Sequence, residues 1–414
     1  MLNRILLSIV MITFAVAQPS FTAADIATSA DGANSVFVAD LDGDGDLDIV
    51  SSSENDNTVA WYENDGSANP SWTAADLNTD GSGAFDIYVA DLDNDGDLDI
   101  VICSFSDDKI RWLENDGAAN PSFTAVNIST SPNGPRSLFV EDMDKDGDLD
   151  ILSASQNDNR IAWYENDGAA DPSFTYASIA TSASAARGVH AADMDNDGDM
   201  DIVSVSISDN TVAWYESDGA ADPSWTAADI ATSANNALGV YVADMDNDGD
   251  MDIVSASAGD DAIAWYENNG AADPSWTAAD IATSADGAAA VFVADLDRDG
   301  DMDIVSASYT DDAIAMYLND GAGDPSWSAS DIATSADEAM SVFVADMDND
   351  GDMDVVSAST ADDAIAWYEN NGAASNSQTA RGISAWTEVV AGSSFDNAND
   401  VIHADIDGDG DLDM

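Results

Sequence analysis

The chain has 414 residues, with nine Lys and Arg against 82 Asp and Glu, for a formal charge of -73. That imbalance excludes nucleic acid and anionic membrane surfaces as partners, since both need clustered Lys and Arg. Yet 45% of the residues are hydrophobic, with 11 Trp, 10 Tyr and 11 Phe, so a large core is available, the acid is local, and something cationic neutralises part of it.

The N-terminus carries one positive charge at Arg4, an apolar run over residues 5–14 and the small-x-small end Ala15-Val16-Ala17. These are the parts of a secretory signal peptide cut after Ala17, and the run is too short to span a bilayer. No later segment is apolar enough to span. The expectation is a signal peptide over 1–17 and one repeat domain over 18–414, secreted or held at the cell surface. Cys103 is the only cysteine, which excludes an internal disulfide. It stands where sister repeats carry Ser or Ala, and reads as a small core residue.

A nine-residue pattern, D-x-D-x-D-G-D-x-D, starts at Asp40, Asp91, Asp142, Asp193, Asp244, Asp295, Asp346 and Asp405. The first seven starts are 51 residues apart and the last gap is 59, the eight extra residues falling between Ala374 and Trp386. A period near 50 is that of propeller blades. Each unit holds four short runs, in the first copy at 35–39, 47–51, 58–62 and 72–77. All are rich in β-branched and aromatic residues, and turn signals such as Asn64-Asp65-Gly66 and Pro70-Ser71 separate them. None has helical length or period. The first and third runs are apolar at successive positions, which suits a sheet covered on both faces rather than an open sandwich. The fold expected is all-β, a β-propeller of four-stranded blades. Residues 33–394 supply seven full units; a spare fourth strand precedes them at 21–28, and an incomplete eighth unit follows at 401–414. Seven blades are favoured and eight are possible. The stop at Asp413-Met414, where other copies continue, suggests a longer natural product.

The acidic pattern is that of a calcium loop. Calcium takes six to eight oxygen ligands, and a tight turn directs alternate residues inward with Gly at the sharpest bend. The side-chain ligands expected, at loop positions one, three, five and nine, fall in eight loops. They are Asp40, Asp42, Asp44 and Asp48; Asp91, Asp93, Asp95 and Asp99; Asp142, Asp144, Asp146 and Asp150; Asp193, Asp195, Asp197 and Asp201. The later copies supply Asp244, Asp246, Asp248 and Asp252; Asp295, Asp297, Asp299 and Asp303; Asp346, Asp348, Asp350 and Asp354; Asp405, Asp407, Asp409 and Asp413. Position seven (Asp46 and its equivalents) is expected to offer its carbonyl and turn its carboxylate to solvent. One Ca2+ per repeat follows. EF-hands are excluded because strands flank the loop and Ser51 stands where the twelfth-position Glu would be. Magnesium prefers a water-rich octahedron, and zinc lacks His and Cys here. Without the twelfth carboxylate, affinity falls in the roughly 0.1–1 mM class of extracellular modules.

With this spacing over nearly the whole of residues 18–414, the chain resembles the FG-GAP-like (VCBS) repeat family, related to the seven-bladed propeller of integrin α-subunits. The resemblance implies calcium at the four positions named above. It also implies loops that support the fold and lie away from the main ligand-binding face. The chain lacks Phe-Gly and Gly-Ala-Pro, so integrin-type ligand binding does not carry over.

Propellers also serve polysaccharide lyases and hydrolases, which need a base and usually a cation. His190 takes the register of Phe37, His403 that of Val38 and Arg111 that of Ala60; Lys145 and Arg298 take loop position four. No residue set breaks the repeat symmetry as a single active site would, so a non-enzymatic binding, adhesion or scaffold module with an extracellular protein or glycan partner is expected. A polysaccharide-active enzyme is the alternative. The Trp and Tyr of the third run are expected between blades rather than as a sugar-stacking platform. The pairs Asp56-Asn57, Asp209-Asn210 and Asp311-Asp312 read either as ligand contacts or as hairpin chemistry. Intact-mass measurement of exported protein should give a chain beginning at Gln18; a product retaining Met1 would overturn the signal-peptide reading.

Overall fold

Short runs dense in Val, Ile, Trp and Tyr, punctuated by Asp-Gly and Asn-Gly, leave the chain little choice but short antiparallel strands. The computed structural model describes residues 18–78, 82–220, 223–323 and 325–373. It opens with β1 (Pro19–Ala27). The first blade follows as β2 (Ala33–Ala39), β3 (Asp48–Ser53), β4 (Thr58–Asn64) and β5 (Trp72–Asn78), each antiparallel to the next. Five more blades repeat it: β6–β9 within 84–129, β10–β13 within 135–180, β14–β17 within 186–231, β18–β21 within 237–282 and β22–β25 within 288–333. The last comprises β26 (Ala339–Ala345), β27 (Asp354–Ser359) and β28 (Ala364–Ala373). Among the described residues the protein is a seven-bladed, all-β propeller without helices.

The seventh blade differs from the expectation that residues up to 394 complete it. Its outer strand is β1, which pairs with β28 in the register Thr22↔Glu369 and Ala24↔Trp367. The cause lies in the sequence. Residues 19–30 repeat residues 223–234, the fourth-strand stretch of the fourth blade, with one change, Phe21 for Trp225. The eight-residue insertion, by contrast, interrupts the equivalent sequence soon after β28. Pairing β1 with β28 closes the ring and leaves no open blade among the described residues. The incomplete eighth unit lies outside the described residues.

Within a blade, burial falls from the centre outward. Every residue of β3 is buried, while those of β5 are exposed or half-buried and include Asp76 as an edge charge. Each hydrophobic cluster mixes two adjacent blades. Trp214 packs forward with Val242, Ile253 and Tyr266 of the fifth blade, and Tyr215 packs back with Leu152 and Trp163 of the third. The third-strand aromatics are therefore core, with Met316 taking the Trp place in the sixth blade at 2% exposure. Cys103 is fully buried.

The rim formed by the β3–β4 hairpins is tied by the Asn/Asp pairs. Asn57, Asn210 and Asp312 hold left-handed backbone at φ 63, 59 and 58. Their side-chain oxygens accept the N–H of Gly83, Asn236 and Glu338, in the linker that enters the next blade. Asp363 does the same for Gly32 across the ring closure. Hairpin chemistry is thus what these pairs perform. Because Trp214 fills a sealed interface, Trp214→Ala should cost about 3–5 kcal/mol, read by denaturant unfolding. A loss below about 1 kcal/mol would mark the ring as surface.

Candidate metal centres and the central channel

The loop between first and second strands is bent by two left-handed residues. In the second blade these are Asn94 at φ 59 and Gly96 at φ 99. The Gly at position six was expected; the matching demand at position four explains why Asn or Gly recurs there and why Lys145 and Arg298 stand at φ 62. Three carboxylates then turn inward by bonding the loop's own N–H groups. Asp91 Oδ2 accepts from Gly96, Asp93 Oδ1 from Asp95, and Asp95 Oδ1 from Asp97. Oxygens of Asp40, Asp42 and Asp44 lie within 4.8 Å of one another, as do those of Asp142, Asp144 and Asp146, of Asp193, Asp195 and Asp197, and of Asp244, Asp246 and Asp248. In the second loop the group is Asp91, Asp93 and Asp99, which brings position nine to the same point. Asp295, Asp297, Asp299 and Asp303, and Asp346, Asp348, Asp350 and Asp354, occupy the corresponding places in the sixth and seventh loops. Asp405, Asp407, Asp409 and Asp413 lie outside the described residues.

The donor set suits a hard cation. All the converging atoms are oxygens, and the Oδ1 atoms of Asp40, Asp193 and Asp346 are buried without a hydrogen-bond partner. Burial, then the charge of the neighbouring carboxylate, pushes Asp297 at position three up to about 6. A divalent ion at the convergence would reverse that crowding.

Position nine has a second task. Asp48 is 1% exposed; its Oδ1 accepts the Asn64 N–H at 2.8 Å and its Oδ2 the Leu41 N–H at 3.2 Å. The Trp61 indole N–H approaches it closely enough to lower its pKa, short of full hydrogen-bond geometry. Burial outweighs these donors, and the carboxyl of position nine is pushed up to about 7 in all seven described loops. Asn64 in turn donates through Nδ2 to the Leu47 carbonyl of its own loop and to the Met347 carbonyl of the preceding blade. The same Asn clamp recurs at Asn115, Asn166, Asn268, Asn319 and Asn370. In the fourth blade Ser217 replaces it, so Met143 receives no such bond among the described residues.

Position seven corrects an expectation. Asp46 and its equivalents do not simply face water; wherever position four of the preceding loop carries a side chain, that side chain reaches them. Asn94 bonds Asp148 at 2.9 Å, Asn196 bonds Asp250 at 2.6 Å, and Asn247 bonds Asp301 at 2.9 Å. Lys145–Asp199 at 2.8 Å and Arg298–Asp352 at 3.2 Å are the charged versions. At the first loop Gly43 has no side chain to reach Asp97. The cationic substitutions therefore sit within a side-chain ring that links the loops.

Against this geometry the comparisons are direct. A family model described as FG-GAP-like repeat matches residues 40–102, 95–153, 142–204, 201–255, 244–306, 295–357 and 346–414. The chain belongs to the FG-GAP-like repeat family. No curated protein matches it. Among solved structures, the BBS1N chain from its complex with ARL6DN is similar at 11% identity and TM-score 0.54, covering 85% of this chain and 96% of that one. The exotype rhamnogalacturonan lyase YesX aligns at 12% identity and TM-score 0.48, over 87% of this chain and 75% of that one. At 11% identity the likeness to BBS1N is one of fold.

The seven first strands line a central channel with a cavity of about 410 Å³. At the acid-loop end Phe37, Tyr88, Phe139, His190, Tyr241, Phe292 and Phe343 form a closed circuit, with neighbouring centroids 4.2 to 5.5 Å apart. His190 is a member of that circuit; its Nδ1 lies 3.1 Å from the Ala191 carbonyl, and burial holds its pKa down to about 4. Arg111 is buried against Ser104 and Asp107. His403 lies outside the described residues. At the hairpin end the repeat symmetry does break. Asn34, Phe85, Arg136, Arg187, Leu238, Ala289 and Met340 share one register, and Asp86 stands one residue deeper where other blades carry Ser, Gly or Ala. The available signal was two Arg at a spacing of one repeat.

Ser217→Asn should restore the missing clamp to Met143 and stabilise the fold by about 0.5–1.5 kcal/mol. Calorimetry would show this as a higher melting temperature; a fall would count against the clamp's role.

Proposed function

We propose that this protein is an exported, calcium-braced propeller that acts as a binding or scaffold module for an extracellular protein or glycan, and is not an enzyme. The observation that carries the calcium reading is the convergence of carboxylate oxygens at the same positions of successive loops, with one buried and unpartnered oxygen in each of three of them. Asp193, Asp195 and Asp197, with Asp201 behind them, would hold the ion in the fourth loop, and the ion would offset the mutual repulsion of acids placed so close together. Seven such sites, joined through six Asn clamps with a break at Ser217, would stiffen the rim without disulfides. Support for a non-catalytic role comes from the histidine and the cations. His190 is enclosed and pushed below the range of a general base, and five Lys and Arg are already held by Asp. The apolar run over residues 5–14 and its small-x-small end support export.

The calcium reading is tested by calorimetric titration of single variants, with unfolding in calcium and in chelator. Asp193→Ala removes a ligand and should abolish or sharply weaken one site. Asp199→Ala removes the same charge and the Lys145 pair but leaves the converging oxygens, so binding should change far less. Equal losses in both variants, or a melting temperature indifferent to chelator, would reduce the loops to solvated acid. Binding to an array of glycans without cleavage of soluble polysaccharides is the outcome expected for a module; release of new reducing or unsaturated ends would establish the enzyme instead.

A further inference from the structure

In a chain with 82 acidic residues, a cation without an acidic partner is unusual. Lys109, Arg111, Lys145, Arg160 and Arg298 each pair with an Asp. Arg136 and Arg187 form no such pair among the described residues. They stand side by side on the first strands of adjacent blades at the hairpin end of the channel.

Their surroundings hold them in place, and the nearby acids Asp86 and Glu54 offset part of their charge without forming a salt bridge. The Arg136 guanidinium carbon lies 4.2 Å from the Phe85 ring centre and 3.6 Å from that of Phe105, and its Nε donates to Gln156 at 3.0 Å. The Arg187 carbon lies 4.5 Å from the Phe85 ring centre, and its guanidinium donates no hydrogen bond to any described residue. The acid deepest in the channel is already engaged: Asp86 Oδ1 accepts from Ser35 Oγ and the Ile87 N–H, and Oδ2 accepts from the Leu138 N–H at 2.8 Å. Glu54 stands at the mouth without a salt bridge to either Arg. Burial pulls the pKa of Arg187 down to about 10, with the like charge of Arg136 as the next cause and the charges of Asp86 and Glu54 acting the other way, so an anion at the pair would relieve the repulsion that remains.

We propose that the channel mouth binds a small amphipathic monocarboxylate, its carboxylate held by Arg136 and Arg187 and its apolar body lying in the channel toward the aromatic circuit. A guanidinium fork matches a carboxylate in two parallel hydrogen bonds. The wall below the pair is apolar, with Val36, Ile87, Leu138 and Val189, and the cavity of about 410 Å³ is of small-ligand size. A polyanion is disfavoured by the charge of -73, because that repulsion grows with the charge of the ligand. The site is separate from the acidic loops and does not rest on their occupancy.

The test is calorimetric titration of the full chain, calcium present, with sodium phenylacetate, benzyl alcohol and inorganic phosphate as probes. Phenylacetate should bind one-to-one and tighter than either of the others. Arg187→Gln and Arg136→Gln should each weaken it by about tenfold or more, and Arg187→Gln should melt no lower than the parent. Selectivity and stoichiometry are read on the unaltered chain, so they decide the matter even if a variant misfolds. No binding of phenylacetate, several sites per chain, parity with benzyl alcohol, preference for phosphate, or undiminished binding by folded Arg187→Gln would each overturn the proposal.

Discussion

The buried position-nine carboxylate is the constraint on which the rest of the rim depends. It accepts the N–H of loop position two and the N–H of the third-strand Asn, and that Asn donates to the position-two carbonyl of the preceding blade. Loop position two therefore serves two blades at once, through its N–H to its own Asp and its carbonyl to the next Asn. A circuit of buried polar groups runs around the ring this way, interrupted at Ser217. Buried polar groups of this kind are costly unless satisfied and stiff when they are, so the circuit fixes the angle between blades more sharply than apolar packing alone can.

The circuit also explains why acid is tolerated where apolar packing would be expected. The position-nine acids are nearly inaccessible and are pushed toward neutrality, whereas positions one, three and five stand at the surface end of the same loop. One face of the loop is thus structural and the other is available to a cation. The proposed calcium would join the two, because position nine is close enough to positions one and three in the second loop to belong to both networks.

Much of this was legible in the sequence, and what was not has a common cause. Strands, blade period, loop positions and the interior place of Trp214 follow from residue type and spacing within one repeat. The polar contacts between repeats did not. Asn64 looked like a turn residue, and only the ring places Met347 beside it. Asp46 looked solvent-facing, and only the ring brings Asn349 to it. The N-terminal strand looked spare until closure paired it with β28. Periodic patterns specify the unit; contacts between distant copies need the unit's curvature, which no local pattern carries.

Departures from the repeat take their meaning from the ring as well. In a sevenfold ring, a residue shared by all blades is explained by the fold, and one found in a single blade or in two neighbours is not. Most departures are absorbed: Met316 fills the space of a Trp, His190 keeps its place in the aromatic circuit, and Lys145 and Arg298 continue the loop-to-loop contacts that Asn makes elsewhere. Phe85, Asp86, Arg136 and Arg187 are not absorbed in this way. They lie together, at one end of the channel, and place positive charge inside a molecule that is overwhelmingly negative outside. Phe85 stacks on both guanidinium groups and Asp86 offsets part of the charge of Arg187, but two like charges side by side still repel. A pair of like charges that the repeat does not require is the feature on which the proposed carboxylate site rests.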